Sequence, residues 1–189
     1  DDSIIKTFTY SATGLRMKKD DSLPSYYYYD QESFSGGYSN RLLINLTHEY
    51  DALGTPVRSF TQGPGIGQPV SFTEGSNTTY YHSDGLGSIS LLTDQMANPA
   101  GYYKYDAFGN ITQDSGLISQ PYRFAGQLWD VETNAAYLGL YGNRYYDPEL
   151  GRYLNKSPSG AVAGTNTYVY SHNNPVNSIL PIAPYGPYG

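Results

Sequence analysis

The feature that most constrains the fold is a recurring unit in which an aromatic residue leads into a short turn closed by glycine. It runs from Tyr10 to Gly14, then as Tyr50-Asp51-Ala52-Leu53-Gly54 and as Tyr105-Asp106-Ala107-Phe108-Gly109. A variant without the tyrosine reads Asp84-Gly85-Leu86-Gly87. An aspartate at the head of a turn accepts backbone N–H bonds, and glycine supplies the positive φ that closes it. With strand-like runs on both sides, each unit reads as one β-hairpin, and repeated hairpins build a sheet edge to edge. The 22 tyrosines and 21 glycines agree, because large flat rings with polar tips suit pleated faces better than a helical core. The expected fold class is all-β, an antiparallel strip of hairpins.

Taken in order, the strand from Ile4 to Tyr10 enters the first turn, and Lys18-Lys19-Asp20-Asp21-Ser22 reads as a charged loop. Four consecutive tyrosines, Tyr26 to Tyr29, put two rings on each face of a strand, which predicts a strand covered on both faces. Residues 41–50 continue as a strand, and Gln62 to Pro69 is a loop rich in Gly and Pro. Thr78 to His82 and Ser88 to Asp94 flank the Asp84 turn, and Ala100 to Tyr105 with Ile111 to Gln113 forms the clearest hairpin. Only Leu128 to Leu140 has helical character, weakened by Gly139. From Asn173 onward Pro175, Pro181, Pro184 and Pro187 exclude a central strand.

The densest stretch is Arg144-Tyr145-Tyr146-Asp147-Pro148-Glu149-Leu150-Gly151-Arg152-Tyr153. Pro148 presets φ, the Asp147 carboxylate accepts N–H bonds, and Gly151 allows φ > 0, so Asp147 to Gly151 is a tight turn. Arg144 and Arg152 can stack on the flanking rings or fork to Asp147 and Glu149. They could also form a binding pair for an acidic ligand. Stacking explains the same residues without one.

This stretch resembles the core signature of the Rhs and YD-repeat family, the β-shell proteins of bacterial polymorphic toxins, toxin-complex cocoons and surface proteins. Further matches are Tyr105 to Asn110, Tyr122-Arg123-Phe124-Ala125-Gly126-Gln127, Asp130 with Glu132-Thr133, and Asn173-Asn174-Pro175-Val176-Asn177. The resemblance divides the chain into YD-repeat-like hairpins at 1–79, a core region at 80–178 and a Pro/Gly/Tyr-rich tail at 179–189. It implies a curled wall with an inward-turning C-terminal core segment. In many members two Asp-Pro-x-Gly motifs follow the core and supply a pair of aspartates that looks like an autoprotease, cutting the chain and leaving a toxin inside the shell. The matching positions here are Ser157-Pro158-Ser159-Gly160 and Leu180-Pro181-Ile182-Ala183, so neither aspartate is present.

Other chemistries find little support. His48, His82 and His172 have no ligand-like spacing, and no metal or cofactor is expected. Gly63-Pro64-Gly65-Ile66-Gly67 lacks the Lys-Ser/Thr of a phosphate cradle. A net charge of −6 with scattered cations argues against a nucleic-acid partner, and no apolar run is long enough for a membrane helix. The start Asp1-Asp2-Ser3 shows no leader, so a processed product or a fragment is expected; the resemblance implies a secreted or bacterial-surface location. Sequons stand at Asn45, Asn77, Asn110 and Asn155.

The reading that follows is a structural wall segment, partnered by the rest of a longer shell or by copies of itself in a tube or filament, since an open strip leaves unpaired edges. One alternative is the shell end of a polymorphic toxin, with an autoprotease and an encapsulated toxin domain; it requires aspartates at 157 and 180. Another is a glycan-binding adhesin using exposed tyrosines.

Overall fold

The computed structural model describes residues 7–12, 15–20, 25–34, 41–65, 67–116, 118–131, 133, 135–138, 144–157, 160 and 165–177, without the side chains of 30–34, 41–44, 137 and 138. Glu132, Leu180, the Pro158-Ser159 pair and the tail from 178 lie outside these residues.

Ten strands follow one another as an antiparallel meander. They are β1 (Thr7–Tyr10), β2 (Arg16–Asp20), β3 (Ser25–Phe34), β4 (Arg41–Tyr50), β5 (Pro56–Gln62), β6 (Pro69–Glu74), β7 (Asn77–Ser83), β8 (Ile89–Asp94), β9 (Pro99–Tyr105) and β10 (Ile111–Asp114). A second sheet orders β11 (Leu128–Asp130), β12 (Ala135–Leu138), β13 (Arg144–Asp147) and β14 (Arg152–Tyr153). The chain is all-β, and neither sheet closes on itself.

Period-two alternation gives the ten-stranded wall one buried face. Tyr27, Leu46, Phe60, Phe72, Tyr81, Leu92 and Tyr103 come from successive strands β3 to β9 and form a continuous apolar row. Tyr122 covers that row, its ring edge-on to Phe60 at 5.8 Å and to Tyr81 at 5.7 Å between centroids. A second cluster unites Phe124, Ala136, Tyr146, Tyr153 and Tyr170. The inner sheet thus packs over the wall, carried there by residues 118–128.

Three expectations need correcting. Tyr27 is buried and Tyr29 half-buried, but Tyr26 and Tyr28 are exposed, so β3 has one covered face; four adjacent rings alternate between core and solvent. Lys18 to Asp20 belongs to β2, paired with β1 and β3, because cross-strand partners override the low strand propensity of charged residues. The stretch with helical character instead forms β11 and β12, and Ala136 pairs with Trp129 on one side and Tyr146 on the other.

Ser171, His172 and Asn173 form a left-handed turn with φ of 44°, 53° and 59°. L residues adopt that conformation at a cost of about 1–2 kcal/mol each. His172→Gly should therefore stabilise the fold by about 1 kcal/mol in thermal or urea unfolding. A loss of stability would mean that the exposed imidazole makes a compensating contact.

Candidate functional site

The repeated turns share one set of bonds. In Asp51–Thr55, Asp84–Ser88 and Asp106–Asn110 the aspartate Oδ1 accepts the N–H of the third and fifth residues, at 2.8–3.0 Å. The fourth residue's N–H donates to the aspartate carbonyl at 3.1 Å. Gly54, Gly87 and Gly109 occupy that fourth place with φ of 77°, 84° and 93°. A copy that sequence reading missed spans Asp94–Asn98, with the same bonds and Ala97 at φ 63° where the others have glycine. Tyr50 and Tyr105 lead into their turns from the ends of β4 and β9.

The turn bonds favour the charged form of the Asp51, Asp94 and Asp106 carboxylates. Bonds from Thr55 and Leu53 hold Asp51 below the usual carboxylate range, and the Asn98 carboxamide and N–H do the same for Asp94. For Asp106, burial is the largest influence and pushes upward, but bonds from Asn110 and Phe108 outweigh it. A lowered folded pKa means the unfolded chain binds protons more readily, so this stabilisation is present above about pH 4 and is lost as pH falls through the folded values. Glu49 has the opposite sign: burial raises its carboxyl above the usual value, offset in part by Arg58. The urea midpoint should fall on acidification below about pH 4. A triple Asp51→Asn, Asp94→Asn, Asp106→Asn variant should lose less over the same range; an equal loss would place the acid sensitivity elsewhere.

The Asp147 turn follows a related plan. Its Oδ1 accepts the N–H of Glu149 and Leu150, and the Gly151 N–H donates to the Pro148 carbonyl. Arg144 lies over the Tyr153 ring at 3.3 Å and donates to the carbonyls of Asn155 and Thr167, while burial lowers its pKa. Arg152 lies over Tyr168 at 5.6 Å. Both arginines therefore stack on tyrosine. Burial pushes the Tyr145 and Tyr146 phenols up, so both remain protonated.

This turn meets the wall at a rim. Tyr146 donates its hydroxyl to the Phe108 carbonyl at 2.7 Å, and Asn110 donates its carboxamide to the Pro148 carbonyl at 3.1 Å. Two motifs separated by about forty residues in sequence thus form one junction. Along the same rim Ala125 donates its N–H to Ser88 Oγ, and Ile89 donates its N–H to the Arg123 carbonyl. Gly126 approaches Gly67 so closely that a Cβ on it would lie 1.9 Å from the Gly67 carbonyl oxygen. On the other side of the inner sheet, Arg16 of β2 pairs with both oxygens of Asp130 in β11, each side chain 2% exposed. The Tyr10 and Tyr145 hydroxyls also meet.

The remaining candidates are placed as follows. Ser157 is buried, its N–H donating to Thr167 O, and Leu180 lies outside the described residues. His48 lies between Tyr28 and Tyr50 on the outer face, and His82 bonds Thr93. Among the described residues no group of three or more His, Asp or Glu side chains could hold a metal ion. No helix among them is long and apolar enough to cross a membrane. Of the sequon asparagines, Asn77 is exposed at the start of β7, whereas Asn45, Asn110 and Asn155 have bonded side chains.

A sequence family described as the Teneurin YD-shell matches residues 38–176. The tRNA nuclease WapA of Bacillus subtilis (strain 168) is 31% identical over 189 residues, covering 96% of this chain and 8% of that protein. Toxin protein Tse5 of Pseudomonas aeruginosa is 30% identical over 152 residues, covering 76% of this chain and 11% of its own. Among solved structures, that of TcdB2-TccC3 superposes with a TM-score of 0.65 over 94% of this chain and 9% of that one, at 21% identity, a likeness of fold. This chain therefore spans about a tenth of the length of these relatives. Its turns, its core signature and these matches agree: the chain belongs to the Rhs and YD-repeat family, as a segment of a YD-shell.

Proposed function

We propose that this segment closes part of the wall of a longer shell that is exported and encloses a polypeptide, and that it works as a scaffold rather than as a protease. The observation that carries the reading is the ten-stranded wall itself. One face is sealed by Tyr122 and the inner sheet, and β1 and β10 are terminal strands whose outer ladders are open to further strands among the described residues. Open edges, even the four-residue ones of β1 and β10, present unpaired backbone groups that pairing within a longer wall satisfies.

The names of the relatives, a toxin protein and a tRNA nuclease, support an enclosed effector domain as the cargo. Self-cleavage by paired carboxylates finds no support at Ser157, which has a hydroxyl where that chemistry needs an acid. Glycan binding would use the outer-face rings of Tyr28, Tyr80 and Tyr102, which are 59%, 42% and 41% exposed.

Imaging and limited proteolysis of the full-length protein test the reading together. Hollow particles are expected, in which polypeptide beyond the wall resists protease and the chain remains one piece. Solid or unclosed particles with freely digested flanking sequence would sink it. A chain that cuts itself in two on purification would restore the protease.

A further inference from the structure

Successive turns of a meander alternate between two rims. The turns at 63–68, 84–88 and 106–110 share the rim that the inner sheet grips; those at 51–55, 74–77 and 94–98 share the other. The Asp94–Asn98 turn on the open rim is a chemical duplicate of Asp106–Asn110. Each has the doubly bonded aspartate, an apolar third residue, a fourth residue at positive φ, and an asparagine whose carboxamide donates to the aspartate Oδ2, at 3.0 and 2.7 Å.

Their surroundings differ. In the Asp106 turn, Tyr146 bonds the third residue's carbonyl, Asn110 reaches Pro148, and Gly151 lies so close beneath Phe108 that a Cβ there would be 3.0 Å from the ring. In the Asp94 turn the matching third residue, Met96, is 77% exposed, and Asn98 is exposed. Leu53 holds the same place in the Asp51 turn of that rim and is 90% exposed. Four strand spacings separate the two tips, about 19 Å.

We propose that the open rim, centred on Met96 and Asn98 and running to Leu53 four strand spacings along it, is a second turn-docking surface. Its occupant is a tyrosine-bearing turn from another course of the wall in the same longer chain. This rests on the wall reading above. The chain already shows one aspartate turn docked on another, and its WapA relative is more than ten times the length of the matched segment, ample to supply a second. A second copy of this segment fits less well, because its Asp147 turn is already engaged on its own Asp106 turn.

This segment has no cysteine, so with any cysteine elsewhere in the full-length protein replaced by serine, single-cysteine variants are clean reporters. In the full-length protein, Met96→Cys, Leu53→Cys and the control Lys104→Cys, exposed on β9, are labelled with a maleimide before and after denaturation. The two rim positions should label at least about tenfold more slowly than Lys104→Cys in the native protein and at its rate when denatured. Equal native rates in particles that remain hollow would overturn the docking surface and leave the wall intact. Particles that are not hollow would instead indict the wall reading. Protection that rises with protein concentration would assign the rim to a second copy and also overturn the proposal. Circular dichroism and imaging of each variant confirm that fast labelling does not come from unfolding.

Discussion

Gly126→Ala should be the most damaging single substitution in the chain. The added Cβ would sit 1.9 Å from the Gly67 carbonyl oxygen, and backbone φ is +66°, so clash and left-handed strain act together. No flexible side chain stands between the two backbones to absorb the clash. Relief requires parting the 63–68 loop from the segment that carries Tyr122 and Phe124 into the two cores. A loss of at least about 4 kcal/mol in urea unfolding, or failure to fold, is expected. Gly67→Ala is the graded partner, at φ +64° with its Cβ 2.9 Å from the Gly126 carbonyl oxygen. Gly75→Ala isolates the backbone cost, since its φ is +60° and nothing lies within 4 Å, so about 1–2 kcal/mol is expected. If Gly126→Ala and Gly75→Ala cost the same, the close approach is not what holds the inner segment.

The second large effect belongs to Arg16 and Asp130. The guanidinium is packed between the rings of Phe8 and Tyr27, at 5.3 and 4.9 Å, and its pKa is raised, with burial opposing and Asp130 favouring the charged form. Removing one partner leaves an uncompensated buried charge, so Arg16→Met or Asp130→Leu alone should cost about 3–5 kcal/mol. Replacing both should recover most of that loss, because two apolar side chains of similar size pack without desolvating a charge. A double-mutant cycle in chemical denaturation measures this. Purely additive losses would show that the two side chains do not act as a pair.

The parts legible in sequence are those whose chemistry is local. An aspartate, a glycine and a proline within five residues define the Asp147 turn without reference to anything distant, and the same holds for the Asp51, Asp84 and Asp106 turns. The Asp94 turn escaped because Ala97 replaces the glycine that marks the others, although Asp94 and Asn98 hold their places. What lay out of reach was pairing across the chain. Arg16 and Asp130 are 114 residues apart, and nothing near Arg16 in sequence marks it as buried. Likewise, two glycines in separate loops do not announce that they touch. The four tyrosines of β3 misled for a related reason: alternation fixes which rings share a face, but the second layer decides which face is covered.

Hydrogen exchange resolved to single amides tests most directly whether the inner sheet grips one rim of the wall. The Ile89 N–H donates to the Arg123 carbonyl, the Ala125 N–H to Ser88 Oγ, and the Tyr153 N–H to the Tyr168 carbonyl. All three bonds exist only when the core segment is docked and folded. Their exchange should require global unfolding, slowed on the order of a thousandfold or more relative to the unfolded chain. Rapid exchange at Ile89 and Ala125, with the wall strands still protected, would contradict the docked inner sheet and the shell segment built on it.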